Sequence, residues 1–239
     1  QDVSALADLE HLRSADLTWT DASCAGSGVY AGENLKALRQ VLRIAVAVAE
    51  DDAKTLKGFH DVEELTLAKW RHEHLAGVRH LPNLTTLKVS SDTLTDPSGV
   101  QGLDKLTTLD LSQCSVLTEL PKLPKSVTKL DLADCKALTK LAPLPEGVKE
   151  LTLRNTGIDS FEALAGVKAA DVVIGSNPNL ASLAGLPTPA TERTYVALQH
   201  LPALRSLEGI QVYEGISHFS ASNCEQLTDI DALGALETI

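Results

Sequence analysis

His72 and His74 are the residues of this chain best spaced to hold a metal ion. In His72-Glu73-His74 an extended backbone turns both imidazoles to one side. His80 follows, but no nearby cysteine completes a ligand shell, and histidines on a solvated loop are the plainer reading. Asp110 and Asp131 form a second candidate set. Each lies in a Leu-Asp-Leu tripeptide, with Asp134 just behind the second. Neighbouring carboxylates can work as acid and base, or take up a cation or a basic side chain. They are expected on an open, wet surface, so acid–base work is not expected of them. Sulfur is the third set: Cys114, Cys135 and Cys224, with Cys24 apart in a Gly/Ser-rich stretch. No set of residues makes a nucleophilic catalyst, so neither an enzyme activity nor a cofactor is expected.

The elements that must position these residues are written into the same segments. Leu106-x-x-Leu109-x-Leu111-x-x-Cys114 recurs as Val127-x-x-Leu130-x-Leu132-x-x-Cys135 and as Val148-x-x-Leu151-x-Leu153-x-x-Thr156, with starts 21 residues apart. The same frame fits weaker stretches beginning at Leu12, Val41, Val62, Leu84, Ala169, Arg193 and Ile216. A fixed period of this length predicts a solenoid, in which each unit buries its apolar edge only against its neighbours. One domain over 1–239, with about ten repeats and a Gly/Ser loop inserted near 23–32, is the expected organisation. Leu236-x-x-Ile239 reads as the start of a further copy without a polar cap, so either a continuation or flanking domain beyond Ile239, or another molecule covering the last strand, is expected. The start at Gln1 and the lack of any Met fit a processed product.

Within each frame the sixth position follows the fourth on the same side of a strand. Leu109, Leu130 and Leu151 are therefore expected side by side in one buried row. The second, third, fifth, seventh and eighth positions are expected to face outward, which places Lys88, Ser91, Asp110, Lys129, Asp131, Asp134, Lys149 and Arg154 on one open face. Asp110 and Asp131 then stack about 5 Å apart on adjacent strands and repel, with Lys129, Lys149 and Arg154 near enough to neutralise them. Thr and small residues dominate the middle of this face; Trp19, Tyr195, His200 and His218 bring aromatic and imidazole groups towards its ends.

The ninth position faces inward, so Cys114, Cys135 and Cys224 are expected as buried thiols without a disulfide, although adjacent turns make a Cys114–Cys135 bond conceivable. Cys24 is the expected exposed thiol. Trp70 occupies a ninth position that normally holds a small residue, as a packing plug or as a half-exposed anchor for a partner. Units this short leave room for only about one or two helical turns, and Pro121, Pro124, Pro143 and Pro145 oppose a helix in two returns. Extended or 3-10 returns are predicted there, with a helical turn or two over 32–40.

The net charge is −11, without a basic stripe, which argues against nucleic acid and anionic membrane surfaces. No apolar run approaches the ~20 residues of a membrane span, and Ile44–Ala49 reads as a buried strand. The sequon Asn83-Leu84-Thr85 matters only in a eukaryotic secretory protein.

On these motifs the chain resembles the leucine-rich repeat family, with its LxxLxLxxN/C signature, from roughly Leu9 to Ile239. Leu120-Pro-Lys-Leu-Pro-Lys-Ser-Val-Thr-Lys-Leu130 is similar to the LPxLP connection of bacterial effector repeats, and Leu227–Leu236 to internalin repeats; the run from Leu109 to Cys135 also resembles plant immune-receptor repeats. The resemblance implies an α/β fold: a right-handed leucine-rich-repeat horseshoe with a parallel sheet on the concave face and mostly extended or 3-10 convex returns. It implies a non-enzymatic module that binds another protein across the concave face, through Lys88, Asp110, Lys129, Asp131, Asp134, Lys149, Arg154, Tyr195 and His218. It favours a secreted or cell-surface setting. The alternative it leaves open is a regulatory or substrate-recognition part of a larger protein with a separate catalytic domain.

Overall fold

The computed structural model describes residues 61–169, 171–189, 194–213 and 216–235, and two strand backbones at 14–17 and 43–46. Ten strands form one parallel sheet in chain order: β1 (Ser14–Leu17), β2 (Arg43–Val46), β3 (Glu64–Trp70), β4 (Thr86–Ser91), β5 (Thr108–Asp110), β7 (Lys129–Asp131), β9 (Glu150–Arg154), β11 (Asp171–Gly175), β13 (Thr194–Gln199) and β14 (Ile216–Ser222). Two small parallel pairs lie outside it. One joins β6 (Glu119–Leu120) to β8 (Lys140–Leu141), and the other joins β10 (Lys168–Ala169) to β12 (Thr188–Pro189). The molecule is a parallel-sheet β-solenoid. The Gly/Ser loop, the 32–40 segment, Trp19, Cys24 and Leu236–Ile239 lie outside the described residues.

Register follows the repeat frame. Glu64, Thr86, Thr108, Lys129, Glu150 and Asp171 pair in succession, and each is the third residue of its frame. Leu87, Leu109, Leu130, Leu151 and Val172 form the next row. Leu109, Leu130 and Leu151 are at most 2% exposed. The sixth-position row (Leu111, Leu132, Leu153) is equally buried, so two parallel apolar columns run through the stack. A one-residue slip would turn both columns to solvent, which is why alternation holds the register so firmly.

The returns contain 3-10 turns at Ala76–His80, Ser98–Val100, Glu162–Leu164, Ile210–Val212 and Asp231–Ala235. Among the described residues they contain no α-helix, which corrects the α part of the expected α/β class. Where prolines crowd the return, after β5 and β7, the chain crosses in the extended β6–β8 pair. Short units and missing amide donors leave no room for an i→i−4 ladder.

Turning out of each strand requires an unusual backbone. Lys69, Gln113, Asp134, Asn155, Ser176, His200 and Asn223 have φ between 54° and 66°, and each is the eighth residue of its frame. This left-handed step costs an L-residue roughly 1–2 kcal/mol. It aims the amide at the next turn: Gln113 N–H reaches Ala133 O (2.8 Å), Asp134 N–H reaches Arg154 O (2.9 Å) and Asn155 N–H reaches Gly175 O (2.8 Å).

The Leu84 unit departs from this rule. Trp70 pairs with Ser91 after a register shift in β3–β4. Ser91, expected outward, is 4% exposed and takes the inward slot that the frame assigns to Asp92. Its Oγ donates to Trp70 O (2.7 Å) and accepts from Leu94 N–H (2.9 Å). An ionised Asp92 in that slot would be desolvated without a countercharge; dropping one residue leaves it exposed instead. Trp70 itself is fully buried, its Nε1 donating to His74 O at 3.2 Å. It is a packing plug, and the anchor reading fails because no face of the indole reaches solvent.

Candidate recognition face

Thr85, Thr107 and Thr128, all second-position residues, donate their hydroxyls to the second-position carbonyl of the preceding turn, at 2.9, 3.1 and 3.3 Å. The threonine richness of this face thus serves to bind turn to turn. The ninth position supplies a second ladder on the inside. Cys114 Sγ donates to Val89 O (3.5 Å), Cys135 Sγ to Leu111 O (3.1 Å), and Asn177 Nδ2 to Leu153 O (2.7 Å), in each case the sixth residue of the turn before.

Cys114 and Cys135 are free and buried; Cys224, expected buried, is only half so, because the last described turn has fewer neighbours. Burial pushes the Cys114 and Cys135 thiols from 9.0 up to about 12. In the unfolded chain they ionise near pH 9, while in the fold they stay protonated. Their contribution to stability is therefore complete below about pH 9 and is lost as pH rises towards about 12. Urea unfolding followed across that window should show falling stability, with a shallower fall in Cys135→Ala. Buried Tyr213, also raised to about 12, acts in the same direction and keeps the slope from vanishing.

On the outward side Lys88, Asp110, Asp131 and Thr152 form one lateral row, and Thr108, Lys129 and Glu150 the row beside it. The two aspartates are direct neighbours. Each folds one oxygen back onto its own strand: Asp110 Oδ1 accepts from Ser112 N–H and Asp131 Oδ1 from Ala133 N–H, both at 2.9 Å. Asp134 Oδ1 accepts from Asn155 Nδ2 at 2.6 Å. Lys129, expected to neutralise the aspartates, instead pairs with Glu150 at 2.5 Å, and that hydrogen bond raises its pKa. Lys149 and Arg154 are exposed and make no ion pair with the aspartates among the described residues. Register sets Lys129 beside Glu150, whereas the β9 residue that pairs with Asp131 is Thr152, not Lys149 or Arg154.

Tyr195 and His218 are register neighbours on β13 and β14, and His218 is exposed. The sites anticipated from sequence therefore divide into a charged centre on β4 to β9 and a Tyr195–His218 pair further along. Between them lies Val173, 50% exposed on β11, which sequence reasoning did not single out. Its signal was an apolar residue at the fifth position. Glu150 and Asn155 were also missed as partners, since only register shows which charge meets which.

His72 packs its ring on Trp70, with centroids 4.7 Å apart, while His74 is exposed. The Nε2 of His72 is buried without a partner. Among the described residues no three His, Cys, Asp or Glu side chains are grouped to hold a metal ion, and no helix is long and apolar enough to cross a membrane.

Replacing Asp131 by Asn tests the face. The amide oxygen can still accept from Ala133 N–H, but the repulsion with Asp110 disappears. Asp131→Asn is expected to raise stability by ~0.2–1 kcal/mol, less in high salt. Denaturation at two ionic strengths measures this; a loss above ~2 kcal/mol would mean that the carboxylate holds something beyond its own turn.

No protein-family profile matches the chain, and a search of curated proteins returns no match.

Proposed function

We propose that this chain is a non-enzymatic recognition module of the leucine-rich-repeat type, a right-handed horseshoe that binds another protein across the concave, outward face of its sheet. The observation carrying this reading is the face itself. Successive strands hold Lys88, Asp110, Asp131, Lys129 and Glu150 in fixed lateral rows, on a backbone locked by the threonine and ninth-position ladders. A fixed display of mixed charge favours electrostatic selection of a partner with little ordering cost on binding. The carboxylates sit on an open surface and are satisfied by local amides, which suits contact better than bond-breaking. The module reads its partner through the charged centre, with Asp134, Lys149 and Arg154 at the strand ends, and through Tyr195 and His218.

The test is partner capture with the full chain and with Lys88→Glu/Asp131→Lys. A partner retained by the native chain and by Lys125→Ala on the return side, but lost by the charge-reversed face, supports the reading. A partner captured equally by all three places recognition elsewhere.

A further inference from the structure

The return side carries a cleft of about 350 Å³ between the turns that begin at Val127 and Val148. It opens because two neighbouring returns take different shapes. One turn earlier the returns are laced together: Thr139 and Lys140 N–H both donate to Thr118 O (3.1 and 3.2 Å), and Ala142 N–H donates to Leu120 O (2.9 Å). On the other side of β8 the chain enters the 3-10 turn at Glu162–Leu164, just after buried Phe161, and offers no third strand. The two returns are still pinned at both ends of the cleft. A Cβ on Gly157 would stand 2.9 Å from Lys136 O, and Leu144 N–H donates to Ala163 O at 3.0 Å. Between these closures no main-chain hydrogen bond joins residues 139–143 to residues 158–162. Because the amides of Lys140 and Ala142 point to β6, the pleat turns the N–H and C=O of Leu141 towards the cleft.

Apolar surface and both signs of charge meet there. Leu141, Ala142, Ile158 and Ala163 supply the apolar lining. Lys140 lines the cleft from β8, Glu162 from the facing 3-10 turn and Glu119 from β6. Lys140 is in register with Glu119, yet among the described residues it forms an ion pair with neither carboxylate. We infer that this cleft, on the far side of the molecule's sheet from the open face, is a binding site for a free apolar α-amino acid. The ligand's side chain covers the apolar lining. Its carboxylate meets the Lys140 ammonium and the Leu141 amide, and its own ammonium meets Glu162 or Glu119. Charge selects this class. A simple anion would be drawn to Lys140 but would face two carboxylates, and a simple cation would face Lys140. A small zwitterion satisfies both signs at once through charge-assisted hydrogen bonds. Size agrees: the cleft lies at the low end of the ~300–1,000 Å³ of ligand pockets, which suits one amino acid rather than a folded partner.

Calorimetric titration of the full chain with L-leucine is the test, beside glycine, N-acetyl-L-leucine and L-leucinamide. L-Leucine should bind saturably. Glycine, which lacks the side chain, N-acetyl-L-leucine, which lacks the ammonium, and L-leucinamide, which lacks the carboxylate, should each bind about tenfold more weakly or worse. Two exposed substitutions then assign the contacts. Lys140→Ala should remove the preference for L-leucine over L-leucinamide, and Glu162→Gln with Glu119→Gln the preference over N-acetyl-L-leucine, because each variant lacks the partner of the deleted group. Lys125→Ala should change neither, and circular dichroism checks that every variant is folded. Absence of saturable L-leucine binding overturns the site. Equal binding of all four ligands, or preferences that survive both sets of substitutions, overturn the zwitterion assignment.

Discussion

Leu130→Ala is expected to lower unfolding free energy by about 2–5 kcal/mol. Leu130 is 1% exposed and lies in register between Leu109 and Leu151, which are themselves at most 2% exposed. Removing its isobutyl group leaves a hole with strands on both sides. Those strands cannot close it, because their spacing is held by the sheet ladder at ~4.8 Å. The transfer loss and the cavity term therefore add. In a solenoid the damage is passed on through neighbour contacts, since each turn is stable only through its interfaces. Urea unfolding should show an earlier midpoint, and broadening of the transition would report separation of the stack at that turn. A loss below about 1 kcal/mol would mean that the row is not closely packed.

Asn177→Ala is expected to cost about 2–4 kcal/mol, although it removes few atoms. Asn177 is 0% exposed. Its Oδ1 accepts from both the amide and the hydroxyl of Thr156, each at 2.8 Å, and its Nδ2 donates to Leu153 O at 2.7 Å. Alanine leaves three buried polar groups without partners in a site closed to water, and each unmade bond costs more than a made one contributes. Asn177→Cys is the informative comparison. Cysteine already serves this position at Cys114 and Cys135 with a single sulfur bond to a carbonyl. It should fall between wild type and alanine. Equal stability of Asn177→Ala and wild type, by thermal or urea melts, would show that water replaces the side chain.

The column of leucines was readable before any coordinates because alternation and period are properties of the chain order. Leu109, Leu130 and Leu151 share a frame position, and burial follows from the pleat. The buried thiols of Cys114 and Cys135 were readable for the same reason, while Cys224, expected inside as well, is only half-buried. The Leu84 unit was not: its frame ran unbroken through Asp92, and only packing against Trp70 shows that Ser91 takes the slot. The charge pairing was not readable either. Lys129, Lys149 and Arg154 all looked close to the aspartates in number, but lateral register assigns Lys129 to Glu150 and leaves Arg154 beside Gly175. Tyr195 and His218 looked merely terminal, and register makes them neighbours.

Sequence by itself determined that this protein is a stack of short parallel units, which leucines form its interior columns, and which charges lie on its open face. Those facts depend on spacing along the chain, and spacing is local. Tertiary structure alone decided which side chains meet across turns and where a left-handed step is dropped. Those outcomes depend on competition between neighbouring turns for the same space and the same hydrogen-bond donors, and no single repeat contains both competitors.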